Sequence, residues 1–344
     1  MNRLAYLALL LASAAVGCGP APMVGPDLGP FADGAADLRP GDGAVAADGL
    51  VAMDGGADLA AADLGAVDLA QAPDLARPPQ RFAVVGDYGV DDADELHVAQ
   101  LIKGWTPDFV LTTGDNNYPN GDRATIERNI GKYYAEFIGG YIGTFGPGSK
   151  SGNRFWPSVG NHDYYGAEKL QPYLDYFPEL PGKKRYYEVQ IGRVHLFALN
   201  SELAVEPDGN TAGSVQGEWL RQRLAASTAC FKIVYFHVPP ISSGPFHDAA
   251  MDWPYKKWGA DVVLLGHEHY YERIERDGFT YIINGLGGAK NRFDFPNIIP
   301  ESKVRYRDDF GAQLGTATGS GLTLEFFTVG GQKIDTFTIP RNCP

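Results

Sequence analysis

From residue 80 onward the chain alternates short apolar runs with amphipathic or Gly-rich stretches. Arg81-Phe-Ala-Val-Val-Gly86 reads as a first buried strand, because its apolar character is continuous rather than alternating. Residues 92–104 have a helical pattern through Ala93, Leu96, Ala99 or Gln100, and Lys103. Phe109-Val110-Leu111 is the next buried strand, and Gly114 closes it. Strand, helix and strand in that order form the βαβ unit of a parallel sheet, which makes this an α/β chain. A second helix is predicted from Ala124 to Ile138, followed by a Gly-rich loop from Gly139 to Gly152 of the kind that shapes access to a site. Phe155 to Val159, Arg185 to Val189 and Val194 to Leu199 are strand-like, and Gln216 to Leu224 is helical with Trp219 and Leu220 on its buried face. Lys232 to Phe236, Asp261 to Leu265, Tyr281 to Ile283, Leu322 to Thr328 and Lys333 to Ile339 complete the strands.

The chemistry stands at the ends of these runs. Five strand ends in turn deliver Asp87, Asp115, Asn161, His237 and the His267/His269 pair. Gly114 lets the backbone turn sharply, so that Asp115 projects into the crevice where α/β sheets hold ligands. A carboxylate has two oxygens and can serve two cations, and Tyr118, three residues on, can curl back with its phenolate. Carboxylate, imidazole, amide and phenolate donors suit hard or borderline metal ions, and no thiolate is on offer. His267 and His269 are two residues apart; on a strand they share a face, whereas on a tight turn they diverge toward two ions. Of the seven histidines, His97 on its helix and His195 inside a strand fall outside these motifs and read as surface or packing residues.

Composition divides the chain into three parts. Residues 1–17 carry Arg3 and an apolar run from Leu4 to Val16, too short to span a bilayer and suited to a secretory signal peptide. Cys18 after Gly17 resembles a bacterial lipobox, which would anchor the chain to a membrane by a lipid; cleavage after Ala14 and secretion as a soluble protein is the rival reading. Residues 18–79 are an Asp/Ala/Gly/Pro-rich tract in which ten Asp against Arg39 and Arg77 give −8. Such a stretch buries too little apolar surface to offset its ordering entropy and is expected to be a disordered tether spanning roughly 45 Å. Of the total charge of −13, about −6 remains for a catalytic part over residues 80–344, which argues against nucleic acid as a routine partner. With Cys18 set aside, Cys230 and Cys343 are an even pair, either a disulfide near the C-terminus or two buried thiols.

Gly-Asp-Tyr-Gly at 86–89, Gly-Asp-Asn-Asn-Tyr at 114–118, Gly-Asn-His-Asp at 160–163, His237 and Gly-His-Glu-His at 266–269 together resemble the calcineurin-like metallophosphoesterases. Within them the pattern is most similar to the purple, or tartrate-resistant, acid phosphatases. Most of that superfamily has a metal-binding His where this chain has Gly89, and Tyr118 is the purple acid phosphatase exchange. The resemblance covers residues 81 to about 339 and includes Gln216, Trp219 and Leu220, and Gly285 to Ala289. It implies a four-layer α/β/β/α sandwich of two mixed sheets flanked by helices.

The resemblance further implies Fe(III) held by Asp87, Tyr118 and His269, with Asp115 bridging. Asn161, His237 and His267 would complete the site of a second ion, Fe(II), Zn or Mn. The implied activity is hydrolysis of phosphate monoesters of small molecules, with water activated by the metal pair attacking phosphorus in line. His162 is the candidate to contact phosphate and protonate the leaving oxygen, with Asp163 orienting its ring, and His247 occupies the second leaving-group position. Two other readings remain: a phosphodiesterase or nucleotide hydrolase on the same core, and a surface protein that keeps metals without turnover. Lys290, Arg292, Lys303, Arg305 and Arg307 cluster late in the chain, as guides for an anionic substrate or as a solvated face.

Overall fold

A computed structural model describes residues 78–202 and 205–343. The readings of residues 1–17 as a signal, Cys18 as a lipid site and 18–79 as a tether lie outside the described residues or, for Pro78 and Pro79, at their margin.

Among the described residues thirteen strands form two mixed sheets. In chain order they are β1 Gln80–Val85, β2 Phe109–Thr112, β3 Phe155–Pro157, β4 Tyr187–Ile191, β5 Val194–Ala198, β6 Phe231–Tyr235, β7 Val262–Leu265, β8 Tyr271–Arg276, β9 Phe279–Asn284, β10 Ser302–Tyr306, β11 Gly311–Ala317, β12 Gly321–Thr328 and β13 Lys333–Pro340. One sheet runs β13-β12-β11-β1-β2-β3 and the other β10-β8-β9-β7-β6-β5-β4. Strands β1, β2 and β3 are mutually parallel, as are β5, β6, β7 and β9. Parallel neighbours carry their carboxyl ends to the same edge, and it is there that the candidate ligands stand.

The period-2 pattern decides how the sheets are covered. On β5, β6 and β7, residues Leu196, Ile233 and Leu264 join the main core shared with Val84, Val110 and Leu324 of the first sheet. Their neighbours Phe197, Val234 and Val263 face the other way, onto Leu220 and Leu224 of a helix. The helices are α1 Ala93–Gly104, α2 Arg123–Ile126, α3 Lys132–Tyr134, α4 Gln171–Tyr176, α5 Val215–Ala226 and α6 Tyr255–Trp258. Asp92 caps α1 by accepting from the backbone of Asp94 and Glu95, and Ser214 caps α5. The result is the expected α/β arrangement of two mixed sheets with flanking helices.

Several elements differ from the sequence reading. Helix α1 buries Glu95, Val98, Ala99 and Ile102 and leaves Leu96 outside, so its inner face is rotated from the predicted one. Glu95 is turned inward because its carboxylate accepts from the backbone N–H of Val90 and Asp91. The helix predicted over 124–138 is instead α2, a π-helical turn over Glu127–Gly131, α3 and a 3-10 turn over Ala135–Phe137. Strand β11 went unread because its glycines lower strand propensity, yet it pairs with β1 at the centre of its sheet. A Cβ at Gly315 would lie 2.2 Å from the Phe82 ring, so the glycine makes room for the Phe82–Phe109 stack.

A disulfide joins Cys230 to Cys343 with Cα atoms 5.7 Å apart, tying the chain beyond β13 to the start of β6 in the opposite sheet. His195 lies on β5 against Ser227 Oγ at 2.8 Å and Glu188 at 3.4 Å, a satisfied sheet histidine, and His97 is exposed on α1.

Candidate metal centre

Three of the strand ends turn through a left-handed backbone: Asp87 at φ 56°, Asp115 at φ 51° and His267 at φ 69°. A non-glycine residue there is strained, and such strain gathers where a side chain must be aimed. Glycines make the close approaches possible. A Cβ at Gly114 would meet His237 Nδ1 at 2.7 Å, and one at Gly160 would meet Asp115 Oδ1 at 2.3 Å. Gly89 explains the exchange of a histidine for Tyr118. The 116–118 backbone crosses directly over it, Tyr118 N–H donates to Gly89 O at 2.8 Å, and a Cβ at 89 would lie 1.8 Å from Asn116 O. The turn that brings the phenol in therefore leaves no room for any side chain at position 89.

The ring of side chains closes around Asp115. Its Oδ2 receives the Tyr118 hydroxyl at 3.0 Å and stands 3.2 Å from His237 Nε2, while Oδ1 accepts the His162 backbone N–H at 2.8 Å. One oxygen rather than two thus faces both halves of the centre. Tyr118 Oη is also 3.4 Å from Asp87 Oδ1 and 3.2 Å from His269 Nε2, and His269 Nε2 is 3.3 Å from Asp87 Oδ1. On the other side His237 Nε2 lies 3.1 Å from Asn161 Oδ1 and 3.2 Å from His267 Nδ1. Asp87, Asp115 and His237 offer ligand atoms all within 4.8 Å of one another, and all three are buried.

Outer partners fix which nitrogen faces the centre. His237 Nδ1 donates to Thr113 O at 2.8 Å and His269 Nδ1 to Asn291 O at 2.9 Å, so each presents its Nε2 lone pair inward. Backbone carbonyls leave no trace in the sequence, and neither partner was predictable. Among the described residues no guanidinium or ammonium pairs with Asp87 or Asp115. Burial alone would lower His237, but the charges of Asp115 and Asp87 outweigh it and raise it to about 10. Burial, then the positive charge of His237, lowers His267 to about 4. Burial and the charges of Asp115 and Asp87 push the Tyr118 phenol well above its ordinary value, so only a strongly charged cation would ionise it there. Two carboxylates, three imidazoles, an amide oxygen and a phenol, converging with no Arg or Lys beside the carboxylates among the described residues, fit a pair of metal ions.

His162 packs against Tyr118 with ring centroids 4.2 Å apart and planes tilted by 39°, and its Nε2 is 4.0 Å from Asp115 Oδ2. Two expectations are corrected here. Asp163 does not orient that ring; His162 Nδ1 donates to Pro119 O at 2.6 Å. Asp163 instead receives Gly160 N–H at 2.9 Å and Asn116 Nδ2 at 2.8 Å, clamping two strand ends together, and burial with the nearby Asp115 charge raises it to about 7. His247 is exposed and absent from the cavity wall, because its Nδ1 is drawn back to Ser242 Oγ and Gly244 O, both at 3.3 Å. Its neighbour Phe246 lines the cavity in its place.

That cavity, about 690 Å³, opens over the centre and is lined by Asp115, Tyr118, Asn161, His162, His267 and His269 together with Tyr165, Phe246, Phe293 and Lys290. Most of the late basic cluster is spent elsewhere. Arg307 pairs with Asp294, Arg305 binds Ser302 Oγ at 2.7 Å, and Arg292 donates to Asp308 O at 2.5 Å. Asn116 was overlooked as a site residue, although it joins Thr112, Ser158 and Asp163 beneath the ligands; its place inside the 114–118 motif was the available signal.

A fold of two mixed sheets with carboxylates and histidines gathered at the strand ends is that of a metallophosphoesterase. The chain belongs to the calcineurin-like phosphoesterase family, whose profile matches residues 80–271. Purple acid phosphatase 15 of Arabidopsis thaliana is 27% identical over 65% of this chain and 48% of its own length. Tartrate-resistant acid phosphatase type 5 of Homo sapiens is 23% identical over 65% of this chain and 78% of its own. The chain thus spans about half the length of the first of these relatives. Among solved structures, a purple acid phosphatase from yellow lupin seeds aligns with a TM-score of 0.61 at 22% identity, covering 77% of this chain and 54% of that one. GAP50, the anchor in the inner membrane complex of Plasmodium, aligns at 0.56 and 18% identity, covering 78% and 90%. Both likenesses establish the fold.

Proposed function

We propose that the chain hydrolyses phosphate monoesters at a two-metal centre of the purple acid phosphatase kind. The observation that carries this reading is the division of contacts about Asp115 Oδ2. Asp87, Tyr118 and His269 lie together on one side, as an Fe(III) site needs, and Asn161, His237 and His267 on the other, for Fe(II), Zn or Mn. When bound, such ions lower the pKa of a water and neutralise charge on the phosphoryl oxygens. In the net reaction the bond from phosphorus to the ester oxygen breaks and one to the water oxygen forms. One water proton is released, and the departing oxygen gains a proton to leave as an alcohol.

We assign the supply of that proton to His162. With Nδ1–H engaged on Pro119 O, Nε2 is the nitrogen left at the cavity wall beside Asp115 to hand the proton over. The left-handed turns and the Thr113 and Asn291 carbonyls hold the donors in place beforehand, which limits reorganisation during the reaction. We place the activity outside the cytoplasm, supported by the signal-like residues 1–17, the lipobox-like Cys18 and the Cys230–Cys343 pair. No helix among the described residues is long and apolar enough to cross a membrane.

Elemental analysis and the visible spectrum of the purified protein test the metal assignment. A phenolate on Fe(III) gives a purple or pink charge-transfer band, and Tyr118→Phe removes it while a second ion remains. An active protein with neither iron nor band would overturn the iron assignment. Assays on a monoester and a bis-ester separate this reading from a phosphodiesterase, and absence of turnover on either, with both metals present, would favour a metal-keeping surface protein.

A further inference from the structure

We infer that the cavity selects phosphate monoesters whose leaving group is a flat aromatic ring, that is, aryl phosphates, over alkyl and polyphosphorylated esters. The inference rests on the monoesterase reading and adds the group carried by the phosphate. Three aromatic side chains stand immediately outside His162, His267 and His269. Phe293 stacks on His269 with centroids 4.6 Å apart and planes 16° from parallel. Phe246 meets Phe293 edge-on at 5.0 Å and lies 6.2 Å from the His267 ring. Tyr165 packs at 4.8 Å from His162 and its hydroxyl is held by Asn161 Nδ2 at 2.6 Å.

Phe246 and Tyr165 remain 49% and 56% exposed, an unusual cost in open apolar surface for two large rings at one cavity mouth. Phe246 is one ring's depth from the ligand His267 and Tyr165 from the proton donor His162, so each would touch the group bonded directly to the ester oxygen. A nucleoside would set its sugar there and its base beyond. The loop bearing Phe246 is pinned from below: Glu268 accepts Phe246 N–H at 2.7 Å and Ser242 Oγ at 3.1 Å, and Glu272 accepts Ser243 N–H at 2.9 Å. Ser243 in turn accepts the N–H of Ile299, joining this wall to the loop that carries Phe293.

Charge points the same way. Among the described residues the one Lys or Arg lining the cavity is Lys290, which pairs at 3.0 Å with Asp92, another lining residue. The rim therefore offers no surplus positive charge to phosphates beyond the one at the metal centre.

Binding of phenylphosphonate and methylphosphonate, which have no ester bond to cleave, to the metal-loaded full chain tests this without turnover. Calorimetry should give phenylphosphonate about a tenfold advantage. The phenyl-to-methyl ratio should fall toward one in a Phe246→Ala/Phe293→Ala double variant and hold an intermediate value in Phe246→Leu, which keeps apolar volume without a ring face. Equal affinities in the unaltered protein, a ratio indifferent to both variants, or inositol hexakisphosphate binding tenfold more tightly than orthophosphate would overturn the inference while leaving monoester hydrolysis standing. Failure to bind either phosphonate or to turn over any monoester would remove the underlying reading as well.

Discussion

Two places in this molecule bury carboxylates between the same two sheets, and they solve the problem differently. Between β8 and β13, Asp335 receives Arg273 Nε at 2.7 Å and the Tyr271 hydroxyl at 2.9 Å. The charge is neutralised by a guanidinium that the chain itself supplies. Near the carboxyl ends of β1 and β2, Asp87 and Asp115 face each other across a phenol and histidines, and no Arg or Lys comes near. Buried charge is tolerated only when paired. At Asp335 the pairing is internal and structural; at Asp115 it is left to protons on histidine or to ions from outside. The difference marks which cluster is scaffold and which is site.

Removing each carboxylate sharpens the contrast. Asp115→Asn should abolish turnover and cost the protein both metal ions, because the oxygen common to the two halves loses its charge. Asp335→Asn should do the reverse, destabilising by about 1–3 kcal/mol in denaturant titration, because Arg273 then keeps only its Glu275 partner, while metal content per folded molecule holds. If both variants lost stability equally and neither lost metal, the two clusters would be of one kind.

A smaller effect separates proton transfer from metal holding within the site. His162→Asn should lower turnover by about 100- to 10,000-fold with metal content retained. Parallel loss of metal would make His162 a structural member of the ring.

The smallest effect concerns a third arrangement, a carboxylate held by neutral donors. Burial pushes Glu127 up, but hydrogen bonds from Tyr141, Tyr176 and Thr144 outweigh it and hold the carboxyl below its ordinary 4.5. A depressed carboxylate contributes stability above the unfolded value and loses it as pH falls through the folded one. The melting-temperature gap between the unaltered chain and Glu127→Gln should therefore be widest above pH 4.5 and close on acidification. A gap independent of pH would assign the contribution to packing.

Reading the sequence worked best where a residue's neighbours along the chain decide its fate. The apolar runs that became β1, β2, β6 and β7 are buried on both faces and so needed no partner to be recognised. Asp87, Asp115 and His267 follow such runs directly. Reading failed where a distant group intervened. The Phe82 ring requires Gly315 and hid β11; the loop N–H groups of Val90 and Asp91 turned Glu95 inward and rotated the face of α1; Pro119 O took the His162 ring that Asp163 was expected to hold.

By itself, then, the order of residues determined the alternation of strands and helices and the donor types at the strand ends, Tyr118 among them. Those are local properties: hydrophobic period, turn chemistry and side-chain inventory. Tertiary structure alone decided that one oxygen of Asp115 faces both groups of donors, that His237 and His269 turn Nε2 inward, and that Phe246 rather than His247 faces the cavity. Each of these depends on an atom supplied from another strand end or loop, and sequence spacing carries no record of how two sheets meet in space.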